Sequence, residues 1–269
     1  NDSSFPIDEG IIIRSGIARN SQGSYTGNNL SSQLNSNSDV DLEDISNQTG
    51  QSVNITDTAF LEFDFIPYSS NFTFDFLFAS NEYGEWQCGF SDVFAFILTD
   101  LTTGVKTNLG VIPNNNSPIS VKNIRDNQYN LSCNSVNKNL FSTYNVNNPS
   151  NSSLNMKGHT VVLTAAAEVI PTKQYRIKLV IGDYNDSDFD SAVFIKGSQK
   201  CSPRFSPVEQ LTAAIFFPFN LRPSSFSIDS KSVNRSKKTF MIPLIEYQYT
   251  GVIKISVSYV SRIFLIKSR

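Results

Sequence analysis

The sequence predicts an all-β fold, an antiparallel β-sandwich of the jelly-roll kind with a short basic C-terminal extension. Apolar side chains recur at every second residue in several segments, the period that sends neighbours to opposite faces of a strand. Connectors rich in Asn, Ser and Gly, the residues of turns, separate these segments. No amphipathic helix longer than two turns stands out. Many short strands joined by polar turns fit a sandwich better than any helical class.

In chain order, residues 11–13 form a first short β-rich run, followed by polar turn formers over 21–38 and an acidic run over 39–44. Leu61, Phe63 and Phe65 then alternate with Glu62 and Asp64. Phe72, Phe74, Phe76 and Phe78 share one face of a single extended segment, with Thr73 and Asp75 on the other. That stripe reads as core, since burying each Phe is worth about 1.5–3 kcal/mol. Residues 93–98 are apolar on both faces, as a central strand is. Asn-rich connectors at 114–116 and 145–155 lead to a run at 161–164. Tyr175, Ile177, Leu179 and Ile181 alternate with Arg176 and Lys178, and residues 192–195 close the series.

Composition bounds the rest. The chain has 269 residues, is 39% hydrophobic and 17% charged, and carries a formal charge of −2, which excludes a disordered polyelectrolyte and a coiled coil. No apolar run reaches the roughly 18–20 residues of a membrane helix. His159 is the single histidine, so a metal site built on several histidines is excluded. The chain opens on Asn1 rather than Met, as a processed product or a fragment would, and shows no leader segment. Residues 1–200 hold 21 acidic and 12 basic side chains, net −9, whereas 201–269 hold 3 and 10, net +7. Asn falls from 26 to 2 across the same point, which places a boundary near Cys201-Ser202-Pro203. Residues 1–200 are expected to be one domain and 201–269 an extension or partial module.

Three acidic groups could carry chemistry. Asp183, Asp186, Asp188 and Asp190 crowd the connection after the 175–181 strand. Such carboxylates repel unless a cation or backbone donors offset them, and calcium, with its six to eight oxygen ligands, is the natural cation. The loop lacks the Gly and Glu positions of an EF-hand, and a solvated loop with Asp-capped turns is the alternative. Glu82 and Asp92, with Glu85 between them, form a second group. They could add to the metal set or act as a glycosidase pair. Trp86, Tyr83 and Asn81 lie in the same loop, and aromatic rings beside polar groups suit sugar recognition, though a structural loop with Trp86 half buried is the favoured reading. The third group, 39–44, alternates carboxylates along an extended chain and could line a cation site or lie exposed.

His159 has no partner set, and the chain has no Gly-x-Ser-x-Gly elbow. A phosphate-cradling Gly loop is missing too, and the acidic main region argues against nucleic acid. Asn-x-Ser/Thr sequons at Asn54, Asn71, Asn130 and Asn151 follow from the abundance of Asn. Of the three cysteines, Cys88 and Cys133 could bridge two loops and leave Cys201 over, or all three could be separate thiols.

The blocks Phe78-Ala79-Ser80-Asn81-Glu82-Tyr83 and Cys88-Gly89-Phe90-Ser91-Asp92-Val93-Phe94-Ala95-Phe96 resemble the signature of the choice-of-anchor L domain family. Gly158-His159-Thr160-Val161-Val162-Leu163-Thr164-Ala165 is similar to that family's next strand. Tyr175 to Asp183 and Asp190 to Ile195 are similar to its closing pair. The resemblance runs from about Gly10 to Gln199. It implies a secreted or surface-exposed bacterial domain without enzymatic activity, often from gliding, Bacteroidetes-type bacteria with type IX secretion. An exported setting favours the Cys88–Cys133 bridge. The tail resembles neither a sorting domain nor immunoglobulin-like repeats, and Gly197-Ser198-Gln199 departs from the usual Gly-Ser-Phe-like ending.

The expectation is a non-catalytic extracellular module for adhesion or surface display, with calcium stabilising its acidic loops and a surface glycan or protein as ligand. A carbohydrate-binding module using Trp86 and Tyr83 is the alternative, and a glycan hydrolase using Glu82 and Asp92 the third reading. Neither nucleic acid nor a membrane span is expected.

Overall fold

The computed structural model describes residues 5–48, 54–67 and 69–197, with the backbone of three later strands. Strand β1 (Glu9–Arg14) is followed by helix α1 (Val40–Gln48), β2 (Ile55–Phe65), β3 (Asn71–Ser80), β4 (Val93–Asp100) and β5 (Lys106–Asn108). Then come β6 (Phe141–Tyr144), β7 (Gly158–Thr160), β8 (Leu163–Glu168), β9 (Tyr175–Tyr184) and β10 (Ser191–Lys196). Strands β11 (Lys238–Pro243), β12 (Val252–Val257) and β13 (Ile263–Lys267) complete the order.

The pairing is antiparallel throughout and folds the chain back on itself. β1 pairs with β10, β2 with β9, β3 with β8 and β4 with β5. With β6 and β7 set aside, each strand counted inward from both ends of the β1–β10 series meets its mirror position. Lateral pairs β10 with β3 and β9 with β4 then tie these four ladders into two sheets, β1-β10-β3-β8 and β2-β9-β4-β5. That wrapped hairpin is the jelly-roll topology. β6 and β7 extend the first sheet beside β3. β13 pairs along β1, and the β11–β12 hairpin along β2, so strands from the tail continue both sheets. Cys201 and the expected boundary after it lie outside the described residues.

Alternation explains the main core. Phe72, Phe76 and Phe78 from β3 meet Phe94, Phe96 and Leu98 from β4 between the sheets, with Ile177, Leu179 and Ile181 from β9. The Phe76 and Phe96 rings meet edge-on at 4.8 Å, and Phe78 stacks on Phe94 at 5.2 Å, geometries that add to the burial itself. Two further clusters cover the outer faces. Ile12, Leu77, Ala79 and Phe194 pack under Ile7, Leu154 and Met156. Ala95, Ile97 and Val180 pack under Leu42 and Ile45 of α1. This second cover is why residues 93–98 read as apolar on both faces.

Helix α1 corrects the extended reading of residues 39–44. The Asp39 side chain accepts from the Asp41 amide, which turns the chain, and Leu42 and Ile45 fall three residues apart on one face. Its carboxylates hold lysines: Asp39 and Asp41 both bind the Lys178 ammonium, at 2.6 and 2.7 Å, and Asp41 also binds Lys106 at 2.6 Å. The cation on this acidic run is thus supplied by the chain. Burial pulls the Lys178 ammonium down, and the two carboxylates more than offset it, leaving its pKa raised. Among the described residues no helix is long and apolar enough to cross a membrane, which says nothing of membrane β-barrels.

Candidate functional site: a buried acidic pole

Strand parity brings the acids together. Asp92 precedes inward-facing Phe94 by two residues, and Asp183 follows inward-facing Ile181 by two. Both project from the same end of adjacent strands, since Val93 pairs with Gly182. Glu82 stands just past the end of β3 and accepts from the Asp92 amide through Oε2 at 2.9 Å. Asp92 in turn accepts from the Tyr184 amide at 3.2 Å. Glu82 is 1% exposed, and Asp92 and Asp183 are 0% exposed.

Burial in this pole disfavours charge. It pushes Glu82 up to about 8, with the Asp183 and Asp186 carboxylates adding to the rise. Asp92 is raised well above the usual carboxylate range by burial and by Glu82. Asp183 is raised too, by burial and then by Asp92 and Asp190, while the Ser15 hydroxyl is directed at the Ser191 carbonyl. Among the described residues neither Asp183 oxygen has a hydrogen-bond partner, and Asp92 Oδ2 also lacks one.

Asp190 is committed elsewhere. Its Oδ2 accepts from Arg14 Nε at 2.9 Å, and its Oδ1 from the Ser32 amide at 2.9 Å. Arg14, also fully buried, donates further to the Asn29 carbonyl at 2.7 Å and the Ser21 hydroxyl at 3.0 Å. Gly16 allows this approach, because a Cβ there would sit 1.7 Å from Asp190 Oδ2. Sequence reasoning missed Arg14 and Asp57. Asp57 is buried at a bulge in β2 and accepts from the Leu34 and Ser36 amides, which ties the 29–36 segment over the pole. Asp186 and Asp188 lie farther out: Asp186 is half-buried, and exposed Asp188 accepts from Gln33. Among the described residues no three Asp, Glu, His or Cys side chains converge as a ready-made metal group.

The neighbouring loop places its residues differently from a sugar platform. Tyr83 is 0% exposed and packs edge-on against Phe141 at 4.7 Å, so it offers no face to a sugar. Asn81 is buried with both ends used: Nδ2 donates to the Leu30 carbonyl, and Oδ1 accepts from the Lys157 amide. Trp86 is half-buried between Phe90 and Phe189. Glu82 and Asp92, sealed from solvent and joined where the Asp92 amide donates to Glu82, leave no path for a polysaccharide chain between them.

Cys88 and Cys133 form a disulfide, with Cα atoms 5.6 Å apart and a sequence separation of 45. It fastens the Glu82–Asp92 loop to the long excursion between β5 and β6. Replacing both cysteines with Ser is expected to cost about 2–4 kcal/mol, read as a lower denaturant midpoint with little change in slope. A midpoint equal to that of the oxidised parent would show that the bridge adds no constraint.

Fold and site together define a class: a disulfide-linked all-β module of jelly-roll topology with an acidic pole sealed at one end. Within that class the chain belongs to the choice-of-anchor L domain family, which matches residues 1–199. Membership implies a secreted or cell-surface protein, and the family is not a known enzyme family. No curated protein and no solved structure matches the chain.

Proposed function

We propose that the chain is a non-catalytic adhesion or display module outside the cell, and that calcium loads its acidic pole. One observation carries the calcium reading: among the described residues the buried Asp183 carboxyl has neither oxygen hydrogen-bonded, beside Asp92 with one oxygen free of partners. A carboxyl so placed is stable either as the neutral acid or against a cation. The hard, all-oxygen surroundings suit calcium, whose flexible coordination tolerates an irregular set. Asp183, Asp92 and Glu82 are the inner ligands in this reading, and they close on the ion when it enters. Asp186 stands at the outer side of the same loop. Arg14 holds Asp190, which keeps that carboxylate out of the set. Extracellular calcium then rigidifies the connections at this end, which suits a module that displays or adheres and needs no catalytic step.

Thermal melting tests this. Calcium at a hundredfold excess over its Kd is expected to add about 2.7 kcal/mol relative to EDTA. Asp183→Asn is expected to abolish that increment. Equal melting temperatures in EDTA and in millimolar calcium would remove calcium from the reading.

A further inference from the structure

A second feature lies apart from the acidic pole. A cleft of about 380 Å3 opens beside β6 and β7, within the range of small-molecule sites, about 300–1,000 Å3. Its polar lining comes from Ser142, Thr143, Asn151 and Ser153, and its apolar wall from Pro6, Val161 and Val162. Among the described residues no Asp, Glu, Lys or Arg lines it. His159, the single histidine of the chain, lies in the same wall and is 6% exposed.

The histidine has one fixed proton. Its Nδ1 lies 2.8 Å from the Thr160 carbonyl, which can only accept, so Nδ1 carries the hydrogen. Nε2 is then a bare lone pair, an acceptor on a ring that lines the cleft. Burial lowers the His159 pKa and keeps the ring neutral. The cleft therefore offers an acceptor, several hydroxyl and amide groups, and an apolar wall, all without charge.

From this lining we infer that the cleft binds a neutral saccharide, one sugar hydroxyl donating to His159 Nε2 while the ring's C–H face rests on Val161 and Val162. An anionic ligand would lack a cation there, and a cationic one a carboxylate. The inference is independent of calcium at the acidic pole and relocates sugar recognition away from Trp86.

The lone histidine makes the test direct, because its imidazole signals in a 1H–13C spectrum are unique. The full chain is titrated with glucose, galactose, mannose, lactose and maltose, with glucuronate and glucosamine as charged controls. At least one neutral sugar is expected to shift the His159 signals saturably in the millimolar range. Exposed Asn151 permits a cleft-filling change without disturbing the core. Asn151→Trp is expected to raise the Kd by at least about tenfold with an unchanged melting temperature, while Trp86→Ala leaves binding intact. The inference is overturned if no neutral sugar shifts the signals, if only the charged sugars do, or if Trp86→Ala abolishes binding and Asn151→Trp does not.

Discussion

Arg14→Ala is expected to destabilise the fold by about 3–5 kcal/mol, the cost of leaving a buried charge without its partner. Asp190 and Arg14 are both 0% exposed, so water cannot replace the lost guanidinium. Burial works against both charges, pulling Arg14 down and Asp190 up. The pair nonetheless stays ionised, because a guanidinium does not deprotonate in a protein and its contact with Asp190 is direct. Arg14→Lys is expected to recover little, since an ammonium cannot reach Asp190, Ser21 and the Asn29 carbonyl in one fork. Adding Asp190→Asn to Arg14→Ala should restore part of the loss, because the orphaned charge disappears with it. Urea unfolding of the parent, Arg14→Ala, Asp190→Asn and the double variant gives the coupling. A loss below about 1 kcal/mol for Arg14→Ala would mean that Asp190 is not charged in the fold. Because Arg14 and Asp190 also hold the 29–32 backbone, faster hydrogen exchange at the Ser32 amide should accompany the loss.

Much of the fold was legible because strands report one face at a time. Alternation at Phe72–Phe78 and Tyr175–Ile181 identifies the inner faces of β3 and β9, and those residues form the main core. What alternation cannot report is a second cover. Ile11, Ile12 and Ile13 are all buried because chain segments pack outside the first sheet, and an unbroken apolar run carries no parity. Helix α1 escaped for a related reason. It has only two strongly apolar anchors, Leu42 and Ile45, and its polar residues are satisfied by Lys106 and Lys178, distant in sequence. Its stability comes from tertiary contacts that no local period encodes.

The acidic pole was visible as composition but not as geometry. The density of Asp at 183–190 marks the loop from which Asp183 and Asp190 enter the pole, but it does not separate its four carboxylates. Parity separates them: Asp183 continues the inward series of Ile177, Leu179 and Ile181, whereas Asp188 lies on the exposed loop. The same rule places Asp92 two residues before Phe94, inside the sandwich end. Asp190 follows the parity of Ala192 and Phe194, which pack on the outer face, where Arg14 shares the side of Ile12. The pairing of Arg14 with Asp190, 176 residues apart, depends on β1 lying beside β10 and has no local signature. Tyr83 misled because an aromatic residue next to Trp86 reads as a platform, while its neighbour in space is Phe141.

Metal-free protein is expected to lose stability as pH rises through neutrality. Glu82 has a pKa of about 8 in the fold and about 4.3 when unfolded. A carboxyl raised on folding binds its proton more tightly in the native state. Its contribution is therefore complete below the unfolded value and is lost as pH climbs through the folded one. Within that window each such group lowers stability by about 1.4 kcal/mol per pH unit. Asp92 and Asp183 shift in the same direction and steepen the decline. Asp41, whose burial is overcome by its bonds to Lys106 and Lys178, is lowered instead, so its contribution disappears only in acid and does not mask the effect. Urea unfolding in EDTA at pH 5, 7 and 9 measures the slope. Glu82→Gln keeps an acceptor for the Asp92 amide without a titrating proton, and should flatten the decline. Calcium should act oppositely to protons, stabilising strongly at pH 9 and weakly at pH 5, because metal and proton compete for the same oxygens. Stability in EDTA that rises from pH 5 to pH 9 would show that these acids are charged in the fold, and the account of the pole would fail with it.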